Sequence, residues 1–596
     1  MESIELHYNQ GLKKIEEKDY QSAIDIFTQC LEMQSDFYSA YISRGDAKSA
    51  LEEYDKAIED YNKAVILNPS FPLTYYLRGV AKFQLEKYPE SISDFNMAIK
   101  LDKGFYDAYF YRGTIKYEMG DIKSAMEDFN TSINLNPEFQ ESYIARSDLK
   151  VLIDDFDGAF KDADLAIRIN PQGYAAYIAR GKARGELKDL QGAMEDFSIA
   201  VELNPESVEC YYNRALTKKE LLDYQGALED LETVLKIDPI EAMAFYERGI
   251  IKSLQEDFDG AIIDLDKSIE IIPENTQAYT ERAFVKLKQK DYEAAIEDFS
   301  MSITVYPEAS IAYFGRAVAK SALQEFEKAL EDIDIAISLN PFDLKFYLER
   351  GKIYIYSEEY QKAVEDFNFV VNDSVDNFPA YFMRSKARMN LGEYNTAILD
   401  LNITIKLNPE FSEAYFERAY IKSFVLKKYQ ESIEDYNYLI MLKPDSASAY
   451  SERALTKTKI EEYESALQDA DSAINADSKD YYGYYAKGIV HSEMKMYQEA
   501  INDFANAIEI SPHNAYCYFN KGKIEYTLED FVAAESDLKT AMELEPSYPD
   551  VHYFMGNVKE KLGLETEAIL EWTKARDLGS PDAAEKLTDR KLNTQN

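Results

Sequence analysis

Apolar and polar positions along the chain recur every 34 residues in two helical stripes. With Tyr38 as place 1 of a unit, places 4, 8 and 11 form one stripe of a first helix, and places 20, 24 and 27 one stripe of a second. The skeleton Tyr41, Arg44, Gly45, Lys48, Tyr54, Ala57, Asp60, Tyr61, Ala64 and Pro69 recurs in one frame from Ile4 to Ser580 with a single inserted residue, which gives seventeen units. Place 8 is Gly, Ala or Ser throughout, and place 20 is Ala except at Ser91 and Ser432. Small residues at both places let two helices approach closely. Gly costs roughly 1 kcal/mol against Ala inside a helix, so its retention at place 8 in ten units implies a facing backbone or ring that needs the space.

The prolines check this division independently, because proline is tolerated in the first turn of a helix and between helices but not inside one. Twelve of the 17 occupy place 32, from Pro69 to Pro546, where one unit hands over to the next. Pro72, Pro379 and Pro549 open first helices, Pro89 opens a second, and Pro581 follows the last unit.

A 34-residue period with a small residue at place 8, Ala at 20, an aromatic at 24 and Pro at 32 resembles the tetratricopeptide repeat (TPR). The resemblance implies an all-α fold, an α-α superhelix of antiparallel helix pairs in which each repeat packs only on its neighbours. We expect one continuous array over 4–580, a capping helix over Pro581–Arg590 with Ala584 and Leu587 on the end of the stack, and a frayed tail from Lys591 to Asn596. Asn372–Phe378 lacks the place-32 Pro, and the extra residue falls in Ser423–Tyr429, at the turn between helices. Together they predict a softer joint around 372–429.

Charge narrows the partners. With 66 Lys and Arg against 109 Asp and Glu, the net charge of -43 argues against a phosphate-binding, nucleic-acid protein. No apolar run approaches the ~20 residues of a membrane span, so no membrane partner is expected. Cys30, Cys210 and Cys517 stand at ordinary repeat places as small apolar filler, which suits a reducing, cytoplasmic compartment. Place 7 is Arg in repeats two to fourteen, place 23 is Asp in repeats two to sixteen, and place 11 is Lys or Arg in fourteen repeats. Repeat one lacks both the Arg and the Asp, which points to a structural ladder of ion pairs. The sequence leaves open whether each Arg pairs within its repeat or with the preceding one.

No phosphate-cradling glycine loop, HExxH or paired CxxC occurs, and no segment outside the repeats could form a catalytic domain. Catalytic residues, metals and cofactors are therefore not expected. His7, His552 and His491 replace residues at packing places, and only His513 lies in a loop.

The resemblance also implies a concave groove lined by first helices, with places 2, 5, 6, 9, 12 and 13 facing inward. Place 5 is aromatic in eleven repeats, from Tyr8 to Tyr553. The candidate contact residues fall in two groups. One is apolar: Leu73, Tyr76, Leu77, Val80, Phe110 and Tyr111, continued by the rings Tyr212, Tyr246, Phe314, Phe382, Phe416, Tyr485 and Phe519. The other is acidic: Glu247, Glu281, Glu349, Glu417 and Glu452, all at place 6. Place 5 is never Lys, so the carboxylate clamp of chaperone-binding relatives is missing. The expected function is a protein-binding scaffold or adaptor whose partner carries apolar anchors and basic residues. The alternative is a structural protein that associates with itself through an end or an edge; for the place-5 rings the competing reading is that they only seal neighbouring first helices.

Overall fold

The computed structural model of the chain describes residues 2–593. Thirty-five α-helices and no strand occur among the described residues. Repeat two shows the unit: a first helix Tyr38–Ala50 at places 1–13, a second helix Tyr54–Leu67 at places 17–30, and a handover loop. The fold is an all-α TPR solenoid of antiparallel helix pairs. By compactness the chain divides into Met1–Pro307 and Glu308–Asn596. In each unit every second helix packs against the following first helix, and successive first helices also touch, whereas among the described residues second helices do not pack on one another. First helices therefore lie on the tighter side of each stack.

The turn between helices has one geometry. Place 15 has positive φ in all seventeen repeats, for instance Glu52 at 60°, Leu222 at 63° and Gly120 at 78°. Glu53 N–H then donates to Lys48 C=O at 2.9 Å and Glu52 N–H to Ser49 C=O at 3.0 Å, closing the helix in a Schellman motif. Eight second helices start on Asp19, Asp121, Asp155, Asp189, Asp223, Asp257, Asp291 or Asp530, whose carboxylate accepts an N–H of the first turn.

The small residue at place 8 faces the side chain at place 24 of its own repeat. A Cβ added to Gly11, Gly45 or Gly351 would stand 2.5–2.6 Å from the ring of Phe27, Tyr61 or Phe367. The group that needs the space is thus usually a ring, and at Gly249 and Gly522 it is the side chain of Leu265 and Leu538. The alanines of place 20, such as Ala57, Ala125 and Ala295, are fully buried beside it.

Two expectations need correction. The extra residue of repeat thirteen is not in the turn: it is absorbed as a π-helical turn, Ile421–Val425, at the end of the first helix, and Lys427 keeps the positive φ of the ordinary turn. At the C-terminus the capping helix runs Pro581–Asn593, beyond Arg590 and into the segment expected to fray; residues 594–596 lie outside the described residues. Ser580 caps it, its hydroxyl accepting Ala583 N–H at 3.3 Å. Ala583 rather than Ala584 is the fully buried contact, with Leu587 packed on the same cluster around Trp572.

Candidate functional site

The basic residues inside the stack are structural, and their arrangement decides what charge remains for a partner. Each place-7 Arg of repeats two to fourteen clasps the place-23 Asp of its own repeat with two parallel hydrogen bonds, as in Arg44 Nε and Nη2 on Asp60 at 2.9 and 2.6 Å. In most of these repeats the remaining nitrogen reaches the preceding repeat: Arg78 to Asn62 at 2.7 Å, Arg180 to Asp164 at 2.8 Å, Arg384 to Asn368 at 2.7 Å. The question left open by the sequence is answered with both partners. The place-11 Lys joins the same Asp, as Lys48 on Asp60, Lys82 on Asp94 and Lys320 on Asp332, each at 2.7 Å. The guanidinium lies over the place-4 ring, 5.2 Å from Tyr381 and 5.5 Å from Tyr41.

Departures from the ladder perturb it locally. In repeat eleven place 11 is Tyr354, no lysine assists Arg350, and burial raises the Asp366 carboxyl. In repeat fifteen His491 Nδ1 meets Asp503 at 2.5 Å. In repeat sixteen place 11 is Glu525, beside Asp537 and bound to Lys521 at 3.1 Å; burial and then the Asp537 charge push its carboxyl up to about 7. In repeat seventeen His552 takes over the Tyr at place 4, with Nδ1 on Glu571 at 2.6 Å and Nε2 on the Pro546 carbonyl at 3.0 Å. Tyr75 makes the equivalent bond to the Pro69 carbonyl at 3.1 Å.

A cleft of about 580 Å³ opens over three successive first helices. Phe110, Thr114, Tyr117 and Glu118 contribute from repeat four, Glu141, Ile144, Ala145, Asp148, Val151 and Leu152 from repeat five, and Ala175 and Lys182 from repeat six, with Phe129 behind. Apart from Phe129 these are residues at places 2, 5, 6, 9, 12 and 13. Asp148 makes no hydrogen bond or ion pair among the described residues, and burial raises its carboxyl. Lys182 is held by Glu209 at 2.8 Å. Two smaller hollows contain Tyr212 and Phe416.

The remaining candidate contacts are placed unevenly. Tyr76 is half-buried between Phe105 at 5.0 Å and Tyr111 at 5.8 Å, with Leu77 and Val80 half-buried nearby and Leu73 at the exposed margin. Tyr246 is half-buried; Phe314 stacks on Phe346 at 5.3 Å and Tyr485 on Tyr482 at 5.8 Å. Phe382 and Phe519 are buried, packed against Phe411 at 4.8 Å and Tyr548 at 5.0 Å. Of the acids, Glu247 is buried on Lys219 at 2.5 Å, Glu349 pairs with Lys352 at 2.9 Å, and Glu417 lies 3.7 Å from Lys386. Glu452 is buried and accepts the Tyr482 hydroxyl at 2.8 Å. Glu281 alone of these five has no hydrogen bond or ion pair among the described residues. Phe382, Phe519, Glu247 and Glu452 are therefore not presented as free contacts. Asp148, at place 9 and so outside the glutamate row of place 6, is.

A wall of first helices with an open inner face is the architecture of a helical interaction repeat. The chain belongs to the tetratricopeptide repeat family. A TPR repeat model matches residues 39–85, and tetratricopeptide repeat models match 4–37, 106–139, 208–241 and 481–514, in the frame used here, and 281–343. No curated protein matches the sequence. Among solved structures, that of the APC/C hetero-tetramer Cut9-Hcn1 is 15% identical with a TM-score of 0.40, covering 81% of this chain and 96% of that one. A tetratricopeptide repeat protein from Parabacteroides merdae is 24% identical with a TM-score of 0.35, covering 42% and 98%, and MamA is 24% identical with a TM-score of 0.26, covering 27% and 95%. Likenesses at this level carry no argument about function.

Proposed function

We propose that the chain is a non-catalytic scaffold of a reducing, cytoplasmic compartment, whose first-helix wall receives an extended segment of a partner protein and so assembles a complex. The observation that carries this is the cleft at repeats four to six, because the places that line it are those a TPR groove uses. Its floor is apolar, at Phe110, Ile144, Val151 and Leu152, and its charged rim is mostly acid. With the ladder holding the place-7 and place-11 cations on Asp, a segment with apolar anchors and Lys or Arg fits this wall better than an acidic or phosphorylated one. Leu73, Tyr212, Tyr246, Glu281, Phe314, Phe416 and Tyr485 are proposed as further contacts along it. The test is affinity capture from the cells that express the chain, followed by cross-linking and mapping of the linked peptides. Cross-links from a partner on first-helix segments support the reading. Links only between copies of this chain, together with a mass that rises with concentration, would replace it with self-association.

A further inference from the structure

We propose that the cleft at repeats four to six holds the side chain of a lysine or arginine in an extended peptide, with Asp148 as the group that selects it. The inference rests on the peptide-groove reading and adds which charge is recognised and where. Asp148 lies on the middle of the three helices, half-buried above apolar walls formed by Phe110, Ile144 and Val151. A carboxylate so placed is costly unless it is paired, and among the described residues it makes no hydrogen bond or ion pair, the charge of Lys182 easing the cost only from a distance. The cation that could, Lys182, is drawn to Glu209 of repeat seven at 2.8 Å. The cost of burial shows in the raised Asp148 carboxyl, and an incoming ammonium or guanidinium would relieve it. Glu118 and Glu141, both exposed at the rim, bring the peptide in with the same sign of field. The apolar walls suit the methylene stem of Lys or Arg, and an apolar neighbour two residues along an extended chain points to the same side.

The test pans a phage library of random dodecapeptides, at physiological salt, on the immobilised full chain, on Asp148→Asn, and on the cleft-filling variants Ala145→Arg and Leu152→Arg. Thermal melting establishes that each variant is folded, and the exposed Leu152 keeps the test open if Ala145→Arg is not. The expected wild-type consensus contains a Lys or Arg with an apolar residue two positions away. Enrichment of those peptides falls at least tenfold on Asp148→Asn, while purely apolar binders are unchanged. Both classes are lost on the cleft-filling variants. A consensus without a basic residue, or one retained on Asp148→Asn but lost on the cleft-filling variants, overturns the cation subsite and leaves the groove standing. Enrichment equal on all four proteins, or none on any, overturns the groove as well.

Discussion

At the scale of single residues, repeat sixteen places Glu525 where the ladder elsewhere uses Lys or Arg, and its second carboxylate oxygen is buried without a hydrogen bond. Its folded carboxyl, at about 7, lies above the ordinary value of 4.5, so the folded state holds the proton more tightly than the unfolded one. That contribution is fully present below pH 4.5 and is lost as the pH rises through 7. Glu525→Gln is accordingly expected to stabilise repeat sixteen by about 1 kcal/mol at pH 8 and to make little difference at pH 5, with Glu525→Lys gaining more by completing the ladder. Hydrogen exchange of Ala515–Thr527 at the two pH values measures this; a gain equal at both would place the effect elsewhere. A second case is Gly556. An added Cβ would stand 2.5 Å from Cδ1 and Nε1 of Trp572, whose ring is tied by Nε1 to Asn557 at 3.1 Å and covered by Lys586. Repeat nine carries Ala283 at the same place beside Phe299, so a phenyl ring can move to admit a methyl, but this indole is pinned. Gly556→Ala is expected to lose about 1–3 kcal/mol in denaturant melts and to loosen the capping helix, despite the better helix propensity of Ala. The place-8 rule was legible because it holds one position to small residues. The ladder's connectivity was not, since Arg78 bonds Asp94 and Asn62 at an equal separation of 16 residues ahead and behind.

At the scale of elements, the left-handed residue at place 15 repeats in every turn, yet fourteen of its occupants are not glycine. Only Gly120, Gly392 and Gly563 hinted at it in the sequence, and the regular helix pattern on either side hid the need for it. Leu222 is a branched chain at φ 63° with 71% of its surface exposed and so little packing to offset the strain. Leu222→Gly is expected to stabilise by about 0.5–1 kcal/mol, the relief of the left-handed strain exceeding the added freedom of the unfolded chain. Met496 starts its helix where eight others have Asp and makes no side-chain cap. Met496→Asp is expected to gain about 1 kcal/mol, measurable as a shift of the unfolding midpoint without a change of slope. The misplaced insertion has a related cause. Length shows that repeat thirteen holds one residue more, but whether a turn or a helix absorbs it depends on backbone hydrogen bonds. Here Arg418 still reaches Asp435, now 17 residues away, and the turn is kept at the expense of a π-helical bulge.

At the scale of the stack, stability is a sum of repeats and the links between neighbours, so a missing link becomes a seam. In most repeats the third guanidinium bond is such a link, and its acceptor is the residue at place 25 of the preceding repeat: Asn62, Asn96, Asn130 and Asp164 serve in turn. Repeat six has Ser198 there, whose short hydroxyl is spent on the Met194 carbonyl at 2.8 Å, and repeat seven has Glu232. Arg214 and Arg248 hydrogen-bond only their own Asp230 and Asp264, and the Glu232 charge acts on Arg248 without a bond. The sequence reading sought softness at 372–429, where length and proline change, because insertions are visible and a missing hydrogen-bond acceptor among ordinary surface residues is not. Within Met1–Pro307 a seam is expected where repeats six, seven and eight meet, bridged there, among the described residues, only by the ion pairs of Lys182 on Glu209 and Lys219 on Glu247. Local opening there is expected at lower denaturant than in repeats two to five, read as earlier loss of hydrogen-exchange protection in Val208–Glu220 than in Pro72–Gln84. Ser198→Asn supplies the acceptor that Arg78, Arg112 and Arg146 find in their neighbours. It should raise protection across repeats six and seven by about 1 kcal/mol, a net hydrogen bond to a charged donor lying partly at the surface. Protection in repeat two should not move, because coupling in such an array passes only between neighbours; a uniform rise would mean that the array unfolds as one body and has no seam.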